Sequence, residues 1–320
     1  MDYVTLGKNG IKVSRLSLGS WITFANQLDL EKASECMKTA FDLGVNFFDN
    51  AEVYAGGQAE EVMGQALKKL GLPRLQYLIS TKFFWGIHNG INSRNTLNRK
   101  YLMQAIDASL VRLQLDFVDL VYCHRPDRET PIEETVWAMS DMVASGKALY
   151  WGTSEWSATE VEEAFAVCER LGLRKPVVEQ PQYNLFCTDR VEKELAPLCT
   201  TRGLGLTTFS PLASGILSGK YLKEIPPGTR LSQSSLGWLR DEAADPDKMT
   251  KVKAFVALAQ EFNCTPSQLA IAWCGRNPNV SSVITGASSK EQVVENMKAL
   301  NLYHRLDDSA WSALTRIFQK

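Results

Sequence analysis

Four polar side chains stand at or just beyond the ends of short apolar runs, where they could meet and transfer a proton. Asp49 closes the run VNFFD, Tyr54 follows it in DNAEVY, Lys82 closes YLISTK and His124 closes VDLVYCH. A carboxylate, a phenol, an ammonium and an imidazole that meet at one end of a barrel form a proton-donating site. Such a site suits the reduction of a carbonyl group, because negative charge builds on the carbonyl oxygen as hydride arrives.

These four residue types have complementary roles in that chemistry. A free tyrosine has a pKa of about 10, so it is a weak proton donor near neutral pH. We expect the ammonium of Lys82 to stabilise the phenolate and to lower the pKa of Tyr54. Asp49 would hold the ammonium through a charge-assisted hydrogen bond. His124 would donate a hydrogen bond to the substrate oxygen, and such preorganised donors favour the transition state over the ground state.

Each of the four residues alone also has a structural explanation. An Asp–Lys pair at a barrel mouth is often only a salt bridge, a tyrosine is more often a packing residue, and a histidine at a strand end can be a satisfied core group. The combination of all four is much more specific than any single member.

The composition disfavours several other classes of protein. The chain has 320 residues, of which 45% are hydrophobic and 22% charged, and its formal net charge is −1. This balance gives no electrostatic case for binding nucleic acid or an anionic membrane. The seven cysteines form no CxxC pair, so we expect neither a disulfide framework nor a metal site, and we expect a cytoplasmic location. The charged N-terminal segment 1–16 predicts no secretory signal, and no apolar run of about 18 residues predicts membrane insertion.

Short β-branched or aromatic runs alternate along the chain with longer amphipathic stretches. Segment 3–14 predicts a hairpin that turns at Asn9-Gly10. Eight candidate strands follow, at 15–20, 45–50, 77–81, 117–124, 148–154, 176–180, 204–210 and 281–286. Most are nearly continuously apolar, which is typical of a parallel sheet buried on both faces. Helical patterns lie between them, for example at 29–44, 59–71, 99–114 and 158–172.

This alternation predicts an α/β fold, namely a (β/α)8 TIM barrel that forms a single domain over residues 1–320. A long loop separates the seventh strand from the eighth, and a final helix is predicted at 306–318. In a barrel of this kind, the carboxyl ends of the strands build the active site. Asp49, Lys82 and His124 would all lie at that face, with Tyr54 just beyond it.

Several motifs together resemble a known family. DNAEVY, STKFFW and YCHRPD occur in this order and resemble the aldo-keto reductase superfamily, from the opening hairpin to the last strand–helix unit. The chain is most similar to the subgroup that contains the β subunits of voltage-gated potassium channels and their fungal, plant and bacterial relatives. The narrower assignment rests on AEVYAGG, STKFFWG, RLQLDFVDLVYCHRPD, YWGTSEW, SPLASGILSGKY, QLAIAWC and SSVITGASSKEQVVEN.

The resemblance implies a role for each of the four residues. Tyr54 would be the general acid/base, Lys82 and Asp49 would tune it, and His124 would orient the substrate. Mammalian channel β subunits often carry asparagine at the position of His124. The histidine here therefore favours an oxidoreductase that reduces aldehydes or ketones to alcohols, and it leaves open a channel partner.

The cofactor is also implied by the resemblance. No GxGxxG follows the first strand, so a Rossmann site is not expected. NADP(H) would instead lie extended across the barrel mouth, with Ser154 and Gln180 bonded to the nicotinamide carboxamide and Phe209 stacked on its ring. Backbone N–H groups and positive charge would hold the pyrophosphate, at Ser210, Leu212, Ser214, Gly215, Lys220 and Arg230. The adenosine half would be held by Gly286, Ser288, Gln292, Glu295 and Asn296.

Three of these residues bear on the choice of cofactor. Arg230 with Ser288 and Gln292 suggests a 2′-phosphate site, and hence NADP(H) over NAD(H). The structural alternatives are a flexible surface loop for the segment SPLASGILSGKY and an ordinary helix N-cap for Ser288.

Aromatic residues just past the strand ends predict the substrate pocket. They are Trp21, Tyr54, Phe84, Trp85 and Trp156. Apolar aromatic walls with one polar corner suit an aldehyde or ketone with a hydrophobic body, although tryptophan at strand ends is also common in core packing. Loops 83–98 and 211–249 would set the choice of substrate.

Two alternatives to a carbonyl reductase stay open. One is a cofactor-binding regulatory subunit that docks on a potassium channel or another membrane partner. The other is a phosphate-binding barrel lyase or aldolase that uses Lys82 as a Schiff-base nucleophile, which the neighbouring tyrosine and histidine disfavour. The resemblance is compatible with a homotetramer, as in the channel subgroup, or with a monomer.

Overall fold

The computed structural model of the protein describes residues 1–319 except residue 22, residues 25–27 and residues 226–244. The first two described strands, β1 (Tyr3–Thr5) and β2 (Lys12–Ser14), form an antiparallel hairpin. The next eight described strands pair in parallel and close into a barrel, with β10 next to both β9 and β3. They are β3 (Leu16–Gly19), β4 (Phe47–Asp49), β5 (Leu78–Phe83), β6 (Val118–Cys123), β7 (Ala148–Ser154), β8 (Val178–Gln180), β9 (Gly205–Thr208) and β10 (Val280–Thr285). The predicted (β/α)8 barrel with an N-terminal hairpin is thereby confirmed.

Helices surround the barrel, and a buried core cluster fills the space between the two layers. They are α1 (Leu30–Asp42), α2 (Gln58–Leu70), α3 (Arg99–Leu113), α4 (Ile132–Ala144), α5 (Ala158–Leu171), α6 (Ala196–Thr201), α7 (Pro246–Glu261), α8 (Pro266–Arg276), α9 (Lys290–Met297), α10 (Leu300–Arg305) and α11 (Asp308–Phe318). Within the described ranges, no helix combines the length and the apolar character needed to cross a bilayer.

The helix ends follow from local sequence. Ser157 caps α5 by accepting a hydrogen bond from the N–H of Glu160, and the Glu160 side chain bonds back to the N–H of Ser157. This reciprocal capping box satisfies N–H groups that the first turn leaves unpaired. The same helix ends at Gly172, whose left-handed φ of 67° is the conformation that glycine adopts without a steric penalty.

The hairpin packs against the apolar interior of the barrel. Leu6 and Val13 join a buried cluster whose other members are barrel residues, namely Phe47, Leu78, Leu120, Tyr122 and Val178. The N-terminal end of the barrel is thus closed by apolar side chains.

The chain reverses in the hairpin differently from the predicted two-residue turn. The loop is closed by Leu6, whose N–H donates to Ile11 O at 2.9 Å, so the reversal is wider than Asn9-Gly10. The left-handed glycine is Gly7, with a φ of 57°, and a Cβ there would lie 2.1 Å from Gly203 O. Contact with the loop before β9 therefore sets the turn. The dipeptide Asn9-Gly10 could not predict this turn, because the contact involves a residue far away in the sequence.

The carboxyl ends of the strands bring the predicted residues to one face. Asp49 ends β4, Lys82 is the next-to-last residue of β5, and His124 directly follows β6. Ser154 and Gln180 end β7 and β8, which are the next strands around the barrel. The fold thus positions five predicted site residues on consecutive or neighbouring strands.

Candidate active site

The centre of the site is a buried ion pair. Lys82 Nζ donates to Asp49 Oδ2 at 2.6 Å and to the backbone oxygen of Asn50 at 2.7 Å, and both side chains of the ion pair are almost fully buried. Asp49 Oδ1 accepts further hydrogen bonds from Ser80 Oγ at 2.7 Å and from Gln180 Nε2 at 3.1 Å. Because every partner is fixed on a strand or at a strand end, the ammonium has a defined position inside the barrel mouth.

Tyr54 reaches this ammonium from the loop after β4. Its hydroxyl lies 3.3 Å from Lys82 Nζ, which is also 5.0 Å from the centroid of the Tyr54 ring. The residue starts a short 3-10 turn, Tyr54–Gly57, in which Ala55, Gly56 and Gly57 all have positive φ. Glu52 anchors the loop, since its N–H donates to Lys82 O at 3.3 Å and its buried carboxylate accepts from Tyr101. The loop is therefore tied directly to the strand that carries Lys82.

The pKa of Tyr54 is raised above its ordinary value, and burial is the largest cause. Lys82 acts in the opposite direction and lowers this pKa, as the sequence predicts, while Asp49 raises it. The pKa is nevertheless raised overall, because removing a phenolate from water costs more than one nearby ammonium recovers. Tyr54 is consequently a protonated hydrogen-bond donor at neutral pH.

His124 faces Tyr54 across the site. The two ring centroids are 5.8 Å apart at an interplanar angle of 73°. Burial, followed by the charges of Lys82 and Arg125, holds the pKa of His124 well below 6.5. The imidazole is therefore neutral and has one N–H donor and one acceptor nitrogen. Its buried Nδ1 has no hydrogen-bond partner among the described residues.

Aromatic side chains form one wall beside the histidine. Trp85 packs edge-on against His124 with a centroid distance of 4.5 Å, and Phe84 packs on Trp85 at 5.6 Å. Phe84, Trp85 and Trp21 are partly buried. Trp156 is different, because only 2% of it is exposed and it belongs to the core cluster. A role of these four residues in binding substrate stays a prediction.

The two residues predicted for the carboxamide lie next to the ion pair. Ser154 Oγ donates to Gln180 O at 2.8 Å, and Gln180 Nε2 donates to Asp49. The amide oxygen of Gln180 is thereby the atom available as an acceptor, and the Ser154 oxygen also retains acceptor capacity. Phe209 is partly buried and follows β9 at the same mouth.

The loop after β9 has an unusual backbone. Ser210, Ala213, Ser214 and Gly215 all have positive φ. A Cβ on Gly215 would lie 3.2 Å from Lys220 Nζ, so glycine lets the ammonium approach the chain. The N–H of Ala213 donates to Ser210 O, that of Ser214 to Ser210 Oγ and that of Gly215 to Leu212 O. These N–H groups already donate hydrogen bonds within the loop. The charge of Lys220 is therefore a stronger indication of an anion-binding site than the backbone N–H groups are.

The residues predicted for the adenosine half lie around the start of α9. Ser288 N and Oγ both donate to Gln292 Oε1, at 2.9 and 3.1 Å. The N-cap of the helix is Ser289, which accepts from Gln292 N, so Ser288 is not the cap. Asn296 Nδ2 donates to Gly286 O at 3.1 Å. Glu295 accepts from Gln268 at 2.8 Å and lies 3.3 Å from Lys298. Arg230 lies outside the described residues.

Residues 15–319 match the aldo/keto reductase family. The chain belongs to this family. The match covers the whole barrel and includes every residue of the Asp49–Tyr54–Lys82–His124 site.

Three relatives are similar over almost their full length, and their printed names refer to channel subunits. The "Probable voltage-gated potassium channel subunit beta" of Oryza sativa subsp. japonica is 52% identical over 303 residues, which is 94% of this chain and 92% of the relative. The protein of the same name from Arabidopsis thaliana is 50% identical over 320 residues, which is 100% of this chain and 97% of the relative. The "Putative voltage-gated potassium channel subunit beta" of Schizosaccharomyces pombe is 45% identical over 304 residues, which is 94% and 88% of the two chains.

Aldo/keto reductases typically bind NAD(P)H, and the donor set at this mouth fits such a group. Gln180 and Ser154 present amide and hydroxyl oxygens beside the ion pair, and Lys220 presents an ammonium next to Gly215. Within the described residues, no group of His, Cys, Asp and Glu side chains could hold a metal ion.

Sequence reasoning missed three residues of this aldo/keto reductase site. Ser80 bonds Asp49, and its place two residues before Lys82 in a strand is a signal, since alternate side chains share a face. Asn50 accepts from Lys82 and directly follows Asp49. Arg125 directly follows His124, and its guanidinium carbon lies 4.9 Å from the Trp85 ring centroid.

Proposed function

We propose that this protein is an NADP(H)-dependent reductase of aldehydes or ketones and that the whole chain acts as one domain. The observation that carries the proposal is the position of one ammonium. Lys82 Nζ contacts Asp49 at 2.6 Å and lies 3.3 Å from the hydroxyl of Tyr54. A buried phenol beside a fixed positive charge is suited to donating a proton to a developing alkoxide.

The chain's own residues would divide the work as follows. Tyr54, protonated at neutral pH, gives its proton to the carbonyl oxygen of the substrate. Lys82 stabilises the phenolate that remains, and Asp49 keeps Lys82 in place. His124, neutral because of burial, donates a second hydrogen bond to the same oxygen and orients the carbonyl. When bound, NADPH supplies the hydride that reaches the carbonyl carbon, so that the product is an alcohol.

The proposed cofactor contacts fall into two groups. Ser154, Gln180 and Phe209 would hold the nicotinamide end. The pyrophosphate and adenosine contacts would come from the loop after β9 and the start of α9, at Ser210, Leu212, Ser214, Gly215, Lys220, Gly286, Ser288, Gln292, Glu295 and Asn296. Arg230 with Ser288 and Gln292 would favour NADP(H) by binding a 2′-phosphate.

A turnover screen with both cofactors tests the proposal. The purified chain is given 4-nitrobenzaldehyde and a panel of other aldehydes and ketones, with NADPH and NADH side by side. We expect consumption of NADPH with formation of the alcohol, and loss of this activity in Tyr54→Phe. A protein that binds NADPH but reduces no member of the panel would contradict the proposal.

A second function is favoured by the similarity to three proteins named as channel β subunits, at 45–52% identity over nearly the whole chain. We infer that the chain could also act as a cytoplasmic, homotetrameric regulatory subunit of a potassium channel. Co-expression with a candidate channel and copurification tests this function, and the mass of the purified chain tests the tetramer. A monomer that captures no channel would contradict it.

A further inference from the structure

Arg125 is a partly exposed cation at the mouth of the barrel, next to the proposed reaction site. Its Nη1 donates to the backbone oxygen of His124 and lies 3.4 Å from Ser154 Oγ. Its guanidinium carbon lies 4.9 Å from the centroid of the Trp85 ring, which in turn packs on His124. The side chain is therefore held in place by three contacts, none of which neutralises its charge.

The charge of Arg125 has no direct partner. Among the described residues, no carboxylate oxygen lies within the 4.0 Å of a salt bridge from this guanidinium. By contrast, Lys82 contacts Asp49 at 2.6 Å and Arg112 contacts Glu60 at 2.7 Å. A mostly buried charge that lacks a partner is costly, so a ligand that brings a negative charge to this position gains binding energy.

The nearest acidic groups do not cancel this charge. Glu155 and Glu179 act on Arg125 electrostatically without contacting it. Glu155 Oε1 accepts from the N–H of Gln182 at 2.6 Å, and the charge of Arg190, which also acts on Arg125, opposes the effect of Glu155. Burial raises the pKa of Glu179 to about 8, so this group is mostly protonated and neutral at pH 7. The region around Arg125, beside Trp85, therefore keeps a net positive charge.

The distances limit the size of the ligand. The steps from the guanidinium to the Trp85 ring and from that ring to His124 are 4.9 and 4.5 Å. One carbonyl substrate can therefore reach His124 with its oxygen and Arg125 with an anionic group if a few bonds, or one aromatic ring, separate the two. The planar fork of a guanidinium matches a carboxylate in particular.

We propose that Arg125 determines substrate choice, and that the reductase prefers aldehydes or ketones that carry a carboxylate a short distance from the carbonyl. This inference rests on the proposed carbonyl reduction and adds a substrate class to it. A phosphate of the cofactor is a less suitable partner, because the loop and helix proposed for its phosphates follow β9 and β10, whereas Arg125 follows β6.

A matched pair of substrates tests the inference. The probes are 4-carboxybenzaldehyde and its methyl ester, methyl 4-formylbenzoate, with the 3-carboxy isomer and its ester to report spacing. The measured quantity is the ratio of kcat/KM for acid and ester. We expect Arg125→Met to reduce this ratio roughly 10- to 150-fold, as for the loss of a charge-assisted hydrogen bond. Arg125→Lys should retain part of the ratio, and Arg128→Met, which removes an exposed arginine, should retain all of it.

A binding measurement separates this inference from the proposed function. Calorimetry compares 4-(hydroxymethyl)benzoate with its methyl ester, on wild type and Arg125→Met, each saturated with NADP⁺. If wild type reduces neither aldehyde, the proposed function fails, and the binding ratio still decides whether Arg125 selects a carboxylate. An equal acid-to-ester ratio in wild type and Arg125→Met overturns the inference. So does a loss of NADP⁺ affinity in Arg125→Met with an unchanged ratio.

Discussion

Gln180 Nε2 donates a hydrogen bond to Asp49 Oδ1 at 3.1 Å. This bond joins two residues that are 131 positions apart in the chain. Asp49 holds Lys82 with its other oxygen, so the amide proposed to bind the cofactor and the ammonium beside Tyr54 share one carboxylate. A change in the position of Gln180 would thus act through Asp49 and Lys82 on Tyr54, the proposed proton donor.

Tyr54→Phe should abolish most carbonyl reduction and leave NADPH binding nearly intact. The hydroxyl is the proposed proton donor, and loss of such a group typically costs roughly 100- to 10,000-fold in rate. Steady-state kinetics and fluorescence titration with NADPH measure the two effects. Tyr122→Phe is the matched control, because it also removes a buried hydroxyl in the barrel, one that bonds Thr207. Near wild-type turnover in Tyr54→Phe would show that the general acid is assigned wrongly.

Lys82→Met should reduce activity and shift its pH dependence. Lys82 lowers the pKa of Tyr54, so its removal raises that pKa and moves the alkaline limb of the residual rate to higher pH. Asp49 would be left buried without its cation, which typically costs about 3–5 kcal/mol of stability, so circular dichroism must first confirm folding. Lys82→Arg keeps the charge and serves as the control. An unchanged pH–rate profile in folded Lys82→Met would refute the claim that Lys82 tunes Tyr54.

Wild-type activity should show no titration of a histidine near neutral pH. Because burial and two nearby cations hold the pKa of His124 well below 6.5, the imidazole stays neutral between about pH 6 and 8. We expect a flat profile of kcat/KM in that interval, measured with a neutral aldehyde. A group with an apparent pKa near 6.5 that disappears in His124→Asn would contradict the assignment of a neutral imidazole.

Glu179→Gln should change how stability depends on pH. Burial raises the pKa of Glu179 from 4.5 to about 8, so the native state binds a proton that the unfolded state has lost between these values. This group's contribution to stability is full below about pH 4.5 and is lost as the pH rises toward 8. The free energy of unfolding of Glu179→Gln, measured by thermal unfolding, should therefore gain on that of wild type between pH 5 and 8, by an amount on the order of a few kcal/mol. Glu163→Gln, at an exposed position, is the control, and parallel curves for Glu179→Gln and wild type would exclude the raised pKa.

Arg230→Ala should weaken NADPH binding and hardly affect NADH. If the guanidinium binds the 2′-phosphate, its removal weakens the affinity only for the cofactor that carries this phosphate. The expected loss of affinity for NADPH is roughly 10- to 150-fold. Fluorescence titration with both cofactors measures it, and Lys223→Ala, seven positions earlier in the sequence, controls for the loss of an exposed cation. Equal weakening for the two cofactors would place Arg230 at the pyrophosphate and remove the 2′-phosphate assignment.

The sequence was sufficient to predict the barrel and to predict that the four proposed catalytic residues lie together. Continuous apolar runs end at Asp49, Lys82 and His124, and strand ends of a parallel barrel share one face. Tyr54 follows from its distance of five residues from Asp49, because a short loop keeps it at that face.

Other properties depend on contacts between distant segments and could not be predicted. The pKa of Tyr54 is set mainly by burial, which no residue pattern measures. The hairpin turn depends on Gly203, and the burial of Trp156 depends on packing in the core between the layers. Arg125 stood next to a predicted residue, yet only the structure shows that no carboxylate of the described chain pairs with it.

The hairpin covers the N-terminal end of the barrel, so the opposite end, where the proposed site lies, is the open one. Leu6 and Val13 are fully buried against the interior cluster, so in the described part of the chain apolar side chains form the lower end of the barrel interior. In the proposed reaction, the proton that restores Tyr54 after each turnover must then enter through the mouth, past the ligands themselves. Exchange of protons with solvent is thereby coupled to the arrival and departure of ligands, and a long-lived complex would keep the phenol isolated from bulk water.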